Sequence, residues 1–440
     1  MNNMLNAIDK AVPLLKTELS RLIYGEVSGL PIIDFHNHLP VKDIVTNRQY
    51  RDLTELWVAS DPYKHRAMRI CGVREALITG DASPKEKFLA WAQTAPKLLG
   101  NPLWHWTRLE LLQVFGIEEE LTPKTAESIW KRTCELLSTP EYRTFPILER
   151  FNIEYAAPCC TIQDSLDPFQ EFSALAGKKF RLVPSLRGDN LLAPTPEMLV
   201  QLSSRLDAFH EAGCRIADHA LDAGFSYQPD AGNDKEILAN AQSGVGTASA
   251  MLRLLGQEYA RRGWILQLHI GALRQTSERL RREAGPAGGY AGIGHSCDIA
   301  SISALLNDLE SSPFGLPRTI LYTLNPVDHA ALAALAGSFP GDGVRGNVQL
   351  GPAWWLCDHI HGMRDCFEIT SAYGVLSVFN GMTTDSRSIL SFVRHDYYRR
   401  VLSAWLASKV SSGEMPDDFE RLAQLSRQLC YENAKSVLQL

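Results

Sequence analysis

No apolar run in this chain approaches the roughly 20 residues that a membrane-spanning helix requires. The first stretch, MNNMLNAIDKAVPLL, lacks a basic flank and is broken by Asp9 and Lys10, so it reads as a short amphipathic helix and not as a secretion signal. None of the nine cysteines forms a C-x-x-C pair, and the count is odd, which argues against a disulfide frame and for reduced thiols in a cytoplasmic protein. Cys159-Cys160 reads as buried strand packing. There is no excess of positive charge: Lys plus Arg is 44, Asp plus Glu is 50, and the formal charge is -6. A general polyanion-binding surface is thereby disfavoured, although a local basic pocket is compatible with it. Internal repeats and low-complexity linkers are also missing. What remains is an ordinary globular composition, 45% hydrophobic and 21% charged over 440 residues, with ample length for a large core.

Short β-rich runs alternate with longer helical patterns. The predicted strands are Ile32–His36, Ile153–Pro158, Arg181–Leu186, Cys214–His219, Trp264–His269, Thr319–Leu324, Asn347–Leu350 and Val375–Asn380. Between them lie apolar-periodic segments such as Pro196–Ala212, Ala248–Arg262, Asp298–Leu309, Val327–Ala336 and Gly362–Tyr373, and another follows near His395–Ser408. Parallel strands need crossovers, usually helical, so the pattern predicts an α/β fold, a (β/α)8 barrel. One gap breaks the rhythm. From Pro40 to Arg150 there are several helical patterns and no convincing strand, which predicts a helical insertion after the first strand that caps the active-site mouth. The predicted organisation is 1–39, the N-terminal helix and first strand; 40–150, the insertion; and 151–440, the remainder of the barrel and the C-terminal helices.

Polar residues at strand C-termini are the ones that reach a barrel's substrate. The first strand ends in Asp34-Phe35-His36-Asn37-His38, and period-two alternation sends His36 and His38 to one side, where two imidazoles can hold one ion. The third strand ends at Arg187, a natural bidentate clamp for a carboxylate, followed by Gly188, which lets the backbone turn close to a ligand. The fourth ends in Asp218-His219, the fifth in His269 with Arg274 beyond it. His219 and His269 each admit a plain structural reading as well. The eighth leads to Asp385 and Arg387. Asp385 is a metal ligand, a proton-abstracting base or an N-cap of the following helix, and Arg387 can hold it ionised or stabilise developing negative charge. Asp358-His359-Ile360-His361 repeats the H-x-H pattern on a helical stretch, where residues two apart diverge by about 200 degrees. It reads as solvent-facing. Trp354-Trp355 are pocket wall or rim packing.

Taken together, these residues resemble the uronate isomerase (glucuronate/galacturonate isomerase) family of the amidohydrolase superfamily. The likeness is carried by DFHNHL at 34–39, YKHRAMRICGVREALITG at 63–80, WAQTAPKLLGNPLWHWTRLEL at 91–111, QLHIGALR at 267–274, GPAWW at 351–355 and GMTTDSRSILSFVRHDYYRRVL at 381–402. The resemblance implies His36, His38 and Asp385 around a divalent metal, zinc foremost, whose need for turnover varies in the family. It implies Asp385, Arg387 and Tyr63 at the reacting end of the sugar, and His269, Arg187 and Trp354 against the substrate. The reaction implied interconverts D-glucuronate with D-fructuronate, and D-galacturonate with D-tagaturonate, through a cis-enediol. Departures from the family pattern fall at Ile162-Gln163, Gly188, His65, Gln275 and His295-Ser296-Cys297.

Two other readings remain at this stage. A metal-dependent hydrolase of the same superfamily shares H-x-H and the strand-eight Asp, but the fourth strand has no Lys or Glu and the sixth no His before His329. A non-catalytic sugar-acid-binding relative would have no use for a proton-transfer base. The expected partner is a small-molecule hexuronate, with no nucleic acid and no membrane, in a homo-oligomer. Arg187 is the expected clamp for the C6 carboxylate, Arg274 the competitor, and Arg387 the lesser candidate because Asp385 would occupy it.

Overall fold

The structure is a computed structural model that describes residues 2–229 and 247–440, with side chains from Ala7 onward. Its centre is a curled sheet whose strands follow one another in chain order, each parallel to the last. They are Ile32–Asn37, Ile153–Thr161, Ser185–Arg187, Ile216–Leu221, Ile265–Ile270, Thr319–Thr323 and Val348–Leu350. A two-residue strand, Arg181–Leu182, also pairs with the second. Helices Pro196–Glu211, Thr247–Arg261, Ile299–Glu310 and His329–Ala336 make the crossovers, close to their predicted spans. Several begin on side-chain caps: Thr195 accepts from the Met198 amide and Asp298 from the Ser301 amide, satisfying donors that the first helical turn leaves free.

Alternation along the strands divides the core. Ile216, Ile265, Ile320 and Tyr322 pack together inside the curl. Leu266, Leu268 and Leu321 face the helical layer. Among the described residues, 40–150 contributes helices, including Pro62–Ile70, Pro84–Thr94 and Pro102–Phe115, and no strand beyond an isolated bridge between Gln49 and Arg143.

The predicted eighth strand is corrected. Val375–Asn380 holds a 3-10 turn at Leu376–Val378, with Val375 exposed. Its β-branched composition misleads because the carbonyls of Ser377 and Phe379 accept from the Asn433 side chain, at 3.0 and 2.8 Å, instead of from a neighbouring strand. Gly381 then turns the chain with φ +84, where a Cβ would stand 2.1 Å from the Leu429 carbonyl. Only past this glycine does the backbone meet the first strand: Asp385 N–H donates to His36 O at 3.1 Å and His38 N–H to Ser386 O at 2.9 Å. Asp34, fully buried, fastens this join by accepting from the Thr384 amide at 2.9 Å and the Thr384 hydroxyl at 2.6 Å. Hydrogen bonds to a charged acceptor contribute about 1.5–3 kcal/mol each, so Asp34 is a strong clamp between the chain's two distant ends.

Candidate active site

At the C-terminal ends of the strands lies a cavity of about 470 Å³. His36, His38, Tyr63, Arg187, His269, Arg274, Trp354, Asp385 and Arg387 line it, whereas Asp218 and His219 from the fourth strand end do not. The lining residues arrive from strand ends, from the helix Pro62–Ile70 and from the segment after Gly381. The helix Pro62–Ile70 meets the loop around Gly289–Ala291 at the rim. Arg66 donates to Ala291 O at 2.9 Å, and Gly289, at φ +79, lies where a Cβ would be 2.2 Å from Pro62 O.

The metal-ligand candidates converge on one oxygen. His36 Nε2 is 3.3 Å and His38 Nε2 3.1 Å from Asp385 Oδ1. A tetrahedral ion with bonds near 2.0–2.1 Å separates its ligands by roughly 3.3 Å, so both distances suit two edges of such a site. His36 reaches this position through an irregularity. Asp34 pairs with Ala156 but Asn37 with Pro158, one residue more on the first strand than on the second. Such a bulge re-aims a side chain. Phe35 packs in the inner core, and His36 also lies inside, its ring centroid 4.5 Å from that of His269. Asp385 stands at φ +47, a left-handed conformation that Asp tolerates better than most residues.

Burial acts to raise the Asp385 pKa, yet the hydrogen bonds from His36 and His38 outweigh it and hold the carboxylate well below its usual range. Burial keeps His38 and, more strongly, His269 neutral. For His36 burial opposes protonation, but the Asp385 hydrogen bond and the Asp218 charge prevail and its pKa is raised.

Several expectations are corrected. The two histidines, not Arg387, hold Asp385 ionised. Arg387, half-buried, makes no ion pair or hydrogen bond among the described residues, which removes the reason for ranking it below the other arginines. Arg187 is already engaged: Nε and Nη2 both lie 2.8 Å from Asp189 Oδ2, and Nη1 is 3.9 Å from Asp218. Arg274 is held by Asp222 at 2.8 Å. Gly188 makes room for a neighbour, not a ligand, since a Cβ there would lie 2.2 Å from His219 Cε1. His219 points away from the cavity, with Nε2 2.9 Å from the Tyr259 hydroxyl, so its role is structural. Asp218, one residue earlier and on the opposite face, is buried inside the curl with Oδ2 3.7 Å from His269 Nδ1.

Cys159 is likewise no mere packing residue. Its thiol lies 3.5 Å from His36 Nδ1 and 3.4 Å from Asp218 Oδ1. His36, His38 and Cys159 form one group able to converge on a metal ion, and His36, Asp218 and His269 another. Counting inward from Ile216 along the fourth strand marks Asp218, and the same parity from Tyr155 marks Cys159.

The second H-x-H is not a chelate: His361 is exposed, while half-buried His359 accepts from the Gly362 amide and starts the helix Ile360–Tyr373. Its neighbour Asp358, expected at the surface, is 2% exposed and accepts from the Tyr63 hydroxyl at 2.9 Å. Arg394, which carried no assigned role, pairs with Asp358 at 3.3 Å. Burial raises the Tyr63 pKa, so it stays a neutral phenol. Among the described residues His269 Nε2 and Trp354 Nε1 are buried without a protein partner, and both side chains line the same cavity.

A family model described as glucuronate isomerase matches residues 4–195 and 193–438. A uronate isomerase of Bacillus licheniformis is 38% identical over 97% of this chain and 96% of its own length. One of Salmonella paratyphi A is also 38% identical, over 96% and 97% respectively. Among solved structures, a uronate isomerase of Thermotoga maritima superposes with TM-score 0.89 at 29% identity, covering 97% of this chain and 99% of the other. A glucuronate isomerase of Caulobacter crescentus gives 0.87 at 25% identity, covering 97% and 96%.

Proposed function

The chain belongs to the glucuronate isomerase family, and from that membership we infer that it is a uronate isomerase, an aldose–ketose isomerase acting on hexuronates. The observation that carries the reading is the shared cavity, lined by an ionised carboxylate, by an arginine unpaired among the described residues and by side chains with polar atoms unpartnered among them. The reaction moves one hydrogen from C2 to C1 and one proton from O2 to O1. Asp385 takes the C2 proton and returns it to C1 on the same face of a cis-enediol. Arg387 faces the enediolate oxygen, and Tyr63 exchanges the oxygen protons. Trp354 and His269 orient the sugar hydroxyls with their free N–H and ring nitrogen. Arg187 and Arg274 remain candidates for the C6 carboxylate.

The same reading closes the barrel: the segment around Thr383–Ser386 serves as its eighth stave, residues 40–150 form a cap over the mouth, and residues 151–440 supply the rest of the barrel and the C-terminal helices. The superfamily is that of the amidohydrolases, the location cytoplasmic and the assembly a homo-oligomer, with no nucleic-acid or membrane partner; among the described residues no helix is long and apolar enough to cross a membrane. D-Glucuronate mixed with the protein is expected to give D-fructuronate, seen as keto product by NMR, and D-galacturonate to give D-tagaturonate. Absence of both products would refute the reading.

A divalent ion, zinc foremost, would be held by His36, His38 and Asp385, a donor set suited to it in type and spacing. When bound it supplies positive charge beside the sugar's reacting oxygens. Calorimetric titration with Zn²⁺ is expected to give one site per chain. His38→Ala should weaken it by at least about tenfold, through loss of one of three protein ligands. His361→Ala should leave it unchanged. Equal weakening by both substitutions would put the ion elsewhere.

A further inference from the structure

Asp358 is a buried carboxyl that the proposed chemistry has not used. It follows the 3-10 turn Trp355–Cys357, past the seventh strand. Its Oδ2 accepts from the Tyr63 hydroxyl at 2.9 Å and from Arg394 Nη1 at 3.3 Å. Arg394, 1% exposed, comes from the helix Val393–Ser411. The same nitrogen donates at 2.9 Å to the carbonyl of Thr384, the residue before Asp385. Its guanidinium lies 3.9 Å from the Trp106 ring centroid and 4.8 Å from that of Tyr63. Three distant parts of the chain are thus tied at one buried point, and of these residues only Tyr63 borders the cavity.

A hydroxyl has one hydrogen and two lone pairs. With its hydrogen on Asp358, Tyr63 offers the cavity an acceptor. With a proton on Asp358 the bond reverses, and Tyr63 offers a donor. We propose that Asp358, anchored by Arg394, is the positioning residue that sets the direction of the Tyr63 hydroxyl and holds its proton while the substrate's oxygen protons are exchanged. The proposal rests on the isomerase reading.

The proton balance is complete. As O2–H gives its proton to the Tyr63 oxygen, Tyr63 passes its own to Asp358. At O1 both transfers run backwards. O2 has lost one proton, O1 has gained one, and Tyr63 and Asp358 are restored.

The local charges support such a pair. Burial raises the Asp358 pKa to about 7 against the opposing charge of Arg394, so its two forms are close in energy near neutrality. The other titratable groups facing it are Tyr63 from the insertion helix, Tyr397 from the helix of Arg394, Asp385 across the cavity wall, and the adjacent Cys357.

A double-mutant cycle tests this, with D-glucuronate as the probe. Asp358→Asn is expected to lower kcat by about 10–100-fold while KM moves by less than about threefold, a modest share of the usual worth of acid–base assistance. In a Tyr63→Phe background the same substitution should cost almost nothing more, because the hydroxyl it serves is gone. An equal loss in both backgrounds, or a change confined to KM, overturns the proposal. If Asp358→Asn does not fold, Asp358→Glu keeps a charge against Arg394 while displacing the carboxyl, and the same cancellation is expected. A wild-type protein without turnover refutes the isomerase reading itself, whereas additive losses on an active wild type refute only the role of Asp358.

Discussion

Asp385→Asn is expected to leave the fold intact and lower turnover by about 10²–10⁴, the usual worth of a positioned acid–base group. That factor corresponds to roughly 3–5 kcal/mol of transition-state stabilisation. The substitution is a clean one. Asparagine has nearly the same shape, and it tolerates the left-handed backbone at φ +47 that this position demands. Its amide oxygen can still accept from His36 and His38, so the local hydrogen bonds survive in part. What it cannot do is take a proton from carbon. Turnover at saturating uronate, with thermal unfolding as the control for folding, decides the matter. A variant with wild-type kcat would make Asp385 a structural residue, a seam between chain ends and not a helix cap, since Ser388 caps the turn that follows.

Arg387→Met should have the next largest effect, a fall in kcat of about 10²–10³ with a smaller rise in KM. Removing one preorganised donor from a developing oxyanion typically costs this much. The motive is geometric: Asp385 is held by the two histidines, and Arg387 lines the cavity with its charge uncommitted. Because it has no protein partner among the described residues, its removal strands no carboxylate, and little stability should be lost. Arg187→Met differs on both counts. Asp189 and Asp218 would lose their shared cation, so the unfolding temperature should fall. If Arg187 still clamps the C6 carboxylate through Nη1, the uronate KM should rise by about 10–100-fold, since charge-assisted hydrogen bonds contribute about 1.5–3 kcal/mol. Neutral aldohexoses should remain poor substrates for both variants. Should Arg387→Met alter KM alone and Arg187→Met leave it untouched, Arg387 is the carboxylate clamp and the charge on the enediolate is met by other groups.

Much of this site is legible in the sequence. His36, His38, Asp385 and Arg387 stand at ends of β-rich runs or just beyond them, and the strings around them carry the family resemblance. The strand-and-helix rhythm, most crossover helices and the absence of strands from 40–150 also follow from local periodicity, since the distance from one side chain to the next along a strand or helix is fixed by the backbone. Three things did not follow. The Val375–Asn380 run has strand composition but turns, because its carbonyls are satisfied by Asn433, 54 and 56 residues away. His36 reaches the inner face through a bulge that no alternation rule marks. Asp358 and Arg394 looked like a solvent-facing residue and an unremarked helical residue, yet they meet behind Tyr63.

The sequence by itself determined the order of the first seven parallel strands, the family and several of the residues that border the cavity, because each depends on a residue's own type and its near neighbours. Only the tertiary structure decided which partner each carboxylate takes: Asp385 with His36 and His38, Asp189 with Arg187, Asp358 with Arg394. Charge pairing depends on separation in space and on loss of solvent, and for residues up to 349 positions apart, as His36 and Asp385 are, neither is written in the local pattern.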